Sequence, residues 1–421
     1  MPITQEELGR RIKVAREACR LTQEEVATRV ELPRPSIAQM ELGNRNVTSL
    51  ELDRLARLFG RDLRELLAEP FEERDAFAAL FRAQQDALRS PDILDRLREC
   101  TRLGREMTSL ERILGVDRGA SSSASYAVEN PGASWEAVRQ GEAIALEERQ
   151  RLGLGHGPLR NLADVLESEG IRTAIVELPP DVSGLTLNDP SYGALVVAND
   201  SEHAHRIRFS LAHEYAHVLL DRTQLGIVSR PSERNEMLEV RANAFAAAFL
   251  MPAQGVLQFL HGFGKGQPSR MRAEIFNEDD AVAVEGRTAP GTQDIQPYDL
   301  ALLAAHFGVS PQAMLYRLLN IQAITKPTFA GLNEQVKASV VNDFMKALHL
   351  EEEPDLDVRE EFRRRYLGLA LEAYRRGEIT KGKLEELAAL VQLSGNEVAL
   401  LIEQVSGGDE PVDVILPKAE R

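Results

Sequence analysis

Apolar residues in the first 68 positions fall at helical spacing and are interrupted by polar helix starts. Thr-Gln-Glu-Glu occurs at Thr4–Glu7 and again at Thr22–Glu25, and Thr48 and Glu51 repeat the spacing. In each, a Thr hydroxyl can cap a helix while the Glu three residues on returns the bond. Pro33 and Pro35 suit a further helix start, and Gly43 suits a stop. The order is helix, tight turn, short helix, capped helix, which is that of a helix-turn-helix. The expected N-terminal unit is a five-helix domain over residues 1–68. Residues 69–117 carry a charged helical pattern and read as a connector with a possible dimer contact at Phe77, Leu80, Phe81 and Leu88. Residues 118–134 are rich in Ser, Ala, Gly and Pro and read as a flexible linker.

From residue 135 the pattern mixes periods. "WEAVRQGEAIALEERQRLGLG" and "PLRNLADVLESEG" are amphipathic helices, while "IRTAIVEL" and "GALVVAND" are short β-rich runs. "RIRFSLAHEYAHVLLD" and "NEMLEVRANAFAAAFLMP" are helical, the second stopped by Pro252. The polar stretch "EIFNEDDAVAVEGRTAPGTQD" reads as a loop. "YDLALLAAHFGVSPQAMLYRLLNI" looks like a second helix-turn-helix, but its second helix is apolar and suits packing rather than DNA. The expected fold is mainly α, with an α+β domain over 135–325 and a helical C-terminal region over 326–421.

Composition narrows the class. The chain has 421 residues, 43% hydrophobic and 28% charged, which suits a multidomain globular protein. No apolar run looks long enough to span a bilayer, the N-terminus lacks a signal pattern, and Cys19 and Cys100 are the only cysteines. A cytoplasmic protein without membrane contact is expected. Net charge is −16, yet residues 1–66 hold 12 Lys/Arg against 11 Asp/Glu. The N-terminal unit is therefore the part that DNA phosphates repel least.

The chemistry concentrates in one helix. His is scarce, with eight in the chain, yet His213 and His217 lie four residues apart with Glu214 between them. That spacing puts both imidazoles on one helix face, where they can share a zinc ion, and Glu214 can reach a water there. A third ligand is needed. Glu236, Glu239 and Asp221 are candidates that spacing does not separate. His203 and His205 are near but precede the expected helix.

"RIRFSLAHEYAHVLL" followed by "EVRANAFAAAFLMP" resembles the ImmA/IrrE-type metallopeptidases over roughly residues 136–321. The resemblance implies a zincin-like peptidase fold and Zn²⁺ as cofactor. It assigns Glu239, three residues before Ala242-Asn243-Ala244-Phe245-Ala246, as the third ligand with His213 and His217. Glu214 would be the catalytic base that takes a water's proton and passes it to the leaving amine. Residues 6–67 resemble the Cro/C1-type (XRE-type) helix-turn-helix repressors. Carried over by position, Gln23 would touch a phosphate. Arg34, Ser36 and Gln39 would enter the major groove, and Asn44 and Arg45 would contact the backbone. Pro33 departs from the family's Ser or Thr cap.

Together the resemblances imply a regulator on a double-stranded DNA operator; because one nearly neutral helix-turn-helix needs doubled contacts, a homodimer is expected, its recognition helices roughly 10 bp apart. Its peptidase domain would cut a repressor, an antitoxin or its own chain. Two alternatives stay open. The peptidase fold could be a non-catalytic sensor of metal or ligand, or the helix-turn-helix could dock a protein substrate.

Overall fold

The computed structural model describes residues 3–19, 21–59, 61, 63–67, 91–116, 124–159, 161–189, 192–232, 235–265, 271–276, 281–286, 293–350 and 358–406. The N-terminal unit has five helices: α1 (Gln5–Ala18), α2 (Gln23–Arg29), α3 (Arg34–Glu41), α4 (Ser49–Leu58) and α5 (Leu63–Leu67). Thr22 with Glu25 and Thr48 with Glu51 form complete capping boxes. The Thr4 box is only half made. Thr4 accepts from the Glu7 amide, but the Glu7 carboxylate turns to Arg10 and Arg11 instead. Pro33 stands at the N-cap of α3 without a side-chain bond, as its lack of a hydroxyl requires. Ile12, Val26, Ile37, Leu55 and Phe59 are fully buried in this unit. Gly9 lets α1 approach α3, since a Cβ there would lie 2.4 Å from the Met40 carbonyl oxygen.

The larger unit is a four-stranded mixed sheet packed among helices. Its strands are β1 (Arg172–Val176), β2 (Gly184–Asp189), β3 (Gly193–Asn199) and β4 (Gly226–Ser229), in spatial order β1-β3-β2-β4. β1 runs parallel to β3; β2 is antiparallel to both β3 and β4. β1 and β3 match the two β-rich runs of the sequence. Going on along the chain, α6 is Pro91–Leu114, α7 Ser134–Arg151, α8 Leu162–Ser168, α9 Ala204–Leu220, α10 Met237–Leu250 and α11 Ala253–Gly262. α9 lies against β2 and β3 and against α10, and α10 packs closely on α7. The close approach depends on small residues. Ala137, Gly141 and Ala145 recur every four positions on the buried face of α7, and a Cβ at Gly141 would lie 2.4 Å from the Arg241 carbonyl oxygen. Beyond lie α12 (Pro297–Phe307) and α13 (Pro311–Asn320), joined through Gly308 in the left-handed region at φ 62°. Leu300, Leu303, Phe307, Met314, Leu315 and Leu318 are buried, so this pair packs as expected.

Several expectations change. Part of the stretch read as a polar loop forms an antiparallel hairpin of β5 (Met271–Phe276) and β6 (Ala281–Gly286). The described half of the flexible linker, 124–134, is pinned: the Tyr126 amide donates to the Leu219 carbonyl at 3.0 Å, and its hydroxyl to Glu148 at 2.6 Å. Residues 117–123 and the apolar positions Phe77, Leu80, Phe81 and Leu88 lie outside the described residues. Helix α6 buries Cys100, Leu103, Met107 and Leu110 within this chain. Its cover is the C-terminal region: α14 (Lys326–Lys337), α15 (Val340–Ala347), α16 (Val358–Arg375), α17 (Lys381–Leu390) and α18 (Gly395–Ser406), of which α16 and α17 touch α6. The stretch Met237–Gly262 is long and apolar enough to cross a membrane by length and composition, which the sequence reading missed. It is broken at Pro252 into α10 and α11 and buries Phe245, Phe249 and Val256 in the core.

Candidate metal centre and candidate nucleic-acid interface

Helix α9 is buried on every side from Ser210 to Leu219, as a helix between a sheet and other helices must be. His213 and His217 share its face toward α10, with their Nε2 atoms 3.2 Å apart. Glu239, in the first turn of α10, closes the triangle. Its carboxylate oxygens lie 3.1 Å from His213 Nε2 and 3.3 Å from His217 Nε2. All three residues are buried, and the converging atoms could hold a metal ion. Glu236 does not join them. It is the exposed N-cap of α10, a full turn from Glu239. His203 caps α9, and His205 falls within its first turn rather than before it; neither belongs to the triangle.

Each imidazole is oriented from behind. His213 Nδ1 lies 3.1 Å from Asn243 Oδ1, and His217 Nδ1 lies 2.9 Å from Asp221 Oδ2. With Nδ1 protonated toward these oxygens, each ring in its neutral form would offer the Nε2 lone pair to the centre of the triangle. Asp221, weighed above as a ligand, thus stands behind one. Its other oxygen accepts from Arg241 Nη2 at 2.6 Å. Glu239 and Asn243 are four apart on α10, so one helix face supplies both a donor oxygen and an orienting group.

Glu214 is fully buried against β2. Its Oε2 accepts from the Thr186 hydroxyl at 2.7 Å, and among the described residues its Oε1 has no hydrogen-bond partner. Gly184 makes room for it: a Cβ there would sit 2.7 Å from Oε1. Burial pushes the Glu214 carboxyl up; the charges of His213 and His217 and the hydrogen bond from Thr186 oppose this. Burial also acts to raise the Glu239 carboxyl, yet the two imidazoles hold it down at about 2. Tyr215 points away, as its position in the motif predicts. It packs on Phe245 and Phe249 and donates to Glu148. Thr186, Gly184 and Arg241 were missed by the sequence reading. Asn243 stood in the quoted Ala-Asn run, and its spacing from Glu239 was the available signal.

The donor set of two imidazoles and one carboxylate, each held by a fixed partner, fits zinc. Beside it, the buried Oε1 of Glu214 is without a partner among the described residues, an atom that needs a water or other group to satisfy it.

In the N-terminal unit, α3 buries Ile37 and Met40 and turns Arg34 and Gln39 to solvent. Ser36 is half-buried on the same helix. Asn44 is exposed just past its end, and its amide donates to the Gln39 carbonyl at 2.9 Å. Arg34 faces Glu24 at 3.8 Å, an exposed pair that solvent screens. Gln23 and Arg45 are less free. Gln23 Nε2 donates to Glu41 at 2.9 Å, beside the Arg16–Glu41 pair, and Arg45 Nη2 donates to Glu51 at 2.7 Å. The surface brought together is therefore Arg34, Ser36, Gln39 and Asn44, with Gln23 and Arg45 tied at its edge.

A buried His-Glu-x-x-His centre and a helix-turn-helix in one chain define a protein that joins a metallopeptidase-like fold to a DNA-binding one. Comparisons agree. Residues 7–69 match the model of a "Helix-turn-helix domain", and residues 166–273 match that of the "IrrE N-terminal-like domain". The second match is narrower than the resemblance over 136–321, but it contains every residue of the centre. Among solved structures, ComR from Streptococcus suis is similar at 13% identity, over 96% of this chain and 97% of that one, with a TM-score of 0.16, which carries no argument. No curated protein matches.

Proposed function

We propose that the chain is a cytoplasmic, DNA-binding transcriptional regulator that carries a zinc-dependent endopeptidase. The observation that carries the reading is the convergence of His213, His217 and Glu239 beside a buried Glu214, in one chain with an exposed Arg34–Gln39 face. His213, His217 and Glu239 would hold the metal. Zinc bound there would polarise a scissile carbonyl and acidify a water. Glu214 would hold that water's proton at its partnerless Oε1 and pass it to the leaving amine. Thr186 fixes the other carboxylate oxygen, so only Oε1 is free to exchange a proton. The substrate we favour is a repressor or antitoxin, or a segment of this chain. A homodimer belongs to this reading, because one nearly neutral helix-turn-helix needs doubled contacts for a firm grip on an operator.

A second reading has one specific support. Glu214 is fully enclosed, which suits a non-catalytic metal-sensing module. One panel of full-length variants tests both. Wild type is expected to bind one zinc per chain, and His213→Ala and Glu239→Gln to lose it, while Glu236→Gln keeps it. Glu214→Gln keeps zinc and, under the peptidase reading, loses cleavage of a candidate repressor. Arg34→Ala with Gln39→Ala weakens operator binding and leaves zinc content unchanged. Zinc-dependent sensing without cleavage in wild type favours the second reading. Full zinc retention in His213→Ala ends both.

A further inference from the structure

Behind the three candidate ligands lies a fourth buried charge whose place the peptidase reading does not explain. Arg241 is 1% exposed, and its Nη2 donates to Asp221 Oδ1 at 2.6 Å. Among the described residues, its Nε and Nη1 find no hydrogen-bond acceptor. A guanidinium kept in the core with one anionic partner is costly to bury, and costlier still without that partner. The partner is Asp221, whose other oxygen lies 2.9 Å from His217 Nδ1. Both carboxylate oxygens are thus engaged, one by the ring and one by the guanidinium. His213 is held differently, by the neutral amide of Asn243. The two rings therefore differ in the charge behind them.

This arrangement has two consequences. Asp221 accepting from Nδ1 leaves Nε2 as the only lone pair His217 can give to a metal. Asp221 is also a carboxylate four residues past a ligand, and Arg241 anchors it on the far side of the ring. Helix α10 supplies that anchor two residues after Glu239, so the same element brings both the third ligand and the restraint. We propose that Arg241 and Asp221 are positioning residues. The buried Arg241–Asp221 pair fixes His217 as an Nε2 ligand and keeps Asp221 off the metal. The proposal rests on the metal-centre reading.

The test measures zinc dissociation constants by chelator competition on the full chain, with folding checked by circular dichroism. Wild type binding zinc, and His213→Ala losing it, establish the centre; a wild type that binds none overturns the centre and the proposal with it. Asp221→Asn and Arg241→Met are each expected to weaken zinc by about 10- to 100-fold, the usual cost of losing such a partner. The double variant should be no weaker than the worse single, because the two act as one unit. Arg241→Lys should recover part of the loss. If the pair were only a tie between α9 and α10, the variants would melt earlier yet bind zinc as wild type does, and that result overturns the proposal. Histidine-selective ¹⁵N spectra of the zinc-loaded wild type decide independently of any variant's folding. A protonated Nδ1 and a coordinated Nε2 on His217 are expected, and coordination through Nδ1 overturns the assignment.

Discussion

His217 shows how much one residue's surroundings set its chemistry. Burial works to lower its imidazole, but hydrogen bonds to Asp221 and Glu239 and the nearby carboxylate charges outweigh it and push the ring up to about 10. An ordinary histidine titrates near 6.5. In the metal-free protein the ring therefore keeps its proton well above neutral pH, and that proton must leave before Nε2 can bind metal. The same raised value stabilises the metal-free fold most below about pH 6.5, and the contribution is lost as pH rises through about 10. Glu239, held at about 2, is already a carboxylate and releases no proton. The expected outcome is that zinc binding strengthens about tenfold per pH unit from pH 6.5 to 9, with one proton released from His217. Chelator competition across that range, corrected for the chelator's own protons, checks it. An affinity flat above pH 6.5 would show that the carboxylates do not hold the ring protonated.

Helices α7 and α10 carry the next scale, because α10 brings Glu239, Arg241 and Asn243 to the site and α7 sets where α10 lies. In an open helix, Gly→Ala is favourable by about 1 kcal/mol. At Gly141 the sign should reverse, because the added carbon would meet the Arg241 carbonyl at 2.4 Å and the Phe245 amide nitrogen at 2.8 Å. Both are backbone atoms and cannot rotate aside. Gly141→Ala is expected to destabilise by about 1–3 kcal/mol and to weaken zinc by moving Glu239. Urea unfolding and zinc titration read the two effects, and a variant as stable as wild type would refute the close packing. Much of this was legible in the sequence and part was not. The four-residue histidine spacing marked α9, the Ala-Asn run marked α10, and the repeated Thr-to-Glu spacing marked helix starts. β2 was missed, although it supplies Thr186 and Gly184, because "GLTLND" is short and follows a proline-rich turn. Only the sheet pairing brings it under Glu214. Glu236 proved to be the exposed N-cap and Glu239 a buried first-turn residue, a difference that a spacing of three does not encode.

The whole molecule divides differently from the way its composition reads. The charged pattern of α6 and the tail's distance in sequence set residues 91–116 and 358–406 apart from the α+β unit, yet they complete its core. Phe362, Tyr366, Ala370 and Ala373 of α16 are buried. Ion pairs stitch the layer: Arg365 to Glu167 at 3.0 Å, Lys383 to Glu106 at 2.5 Å and Arg172 to Glu111 at 2.6 Å. Such long-range pairing leaves no local trace, because each partner is an ordinary surface-type charge in its own segment. The layer also reaches the site. Arg359 holds Asp200 at 2.5 Å and the Glu202 carbonyl, on the turn that leads into His203 at the cap of α9. Removing residues 326–421 should therefore do more than shorten the chain. It uncovers Leu103, Met107 and Leu110, and it frees the turn that aims the histidine helix. We expect a chain ending at residue 325 to melt earlier, to form larger assemblies, and to bind zinc more weakly than the full protein. Phe362→Ala in the full chain should cost about 3–5 kcal/mol, as a large ring lost from a packed interior does. Melting curves, size-exclusion chromatography and zinc competition on both proteins check this. A shortened chain that keeps the full protein's assembly state, melting and zinc affinity would mean that the C-terminal helices form a separate domain. The seam between α6 and α16 would then carry no stability for the metal centre.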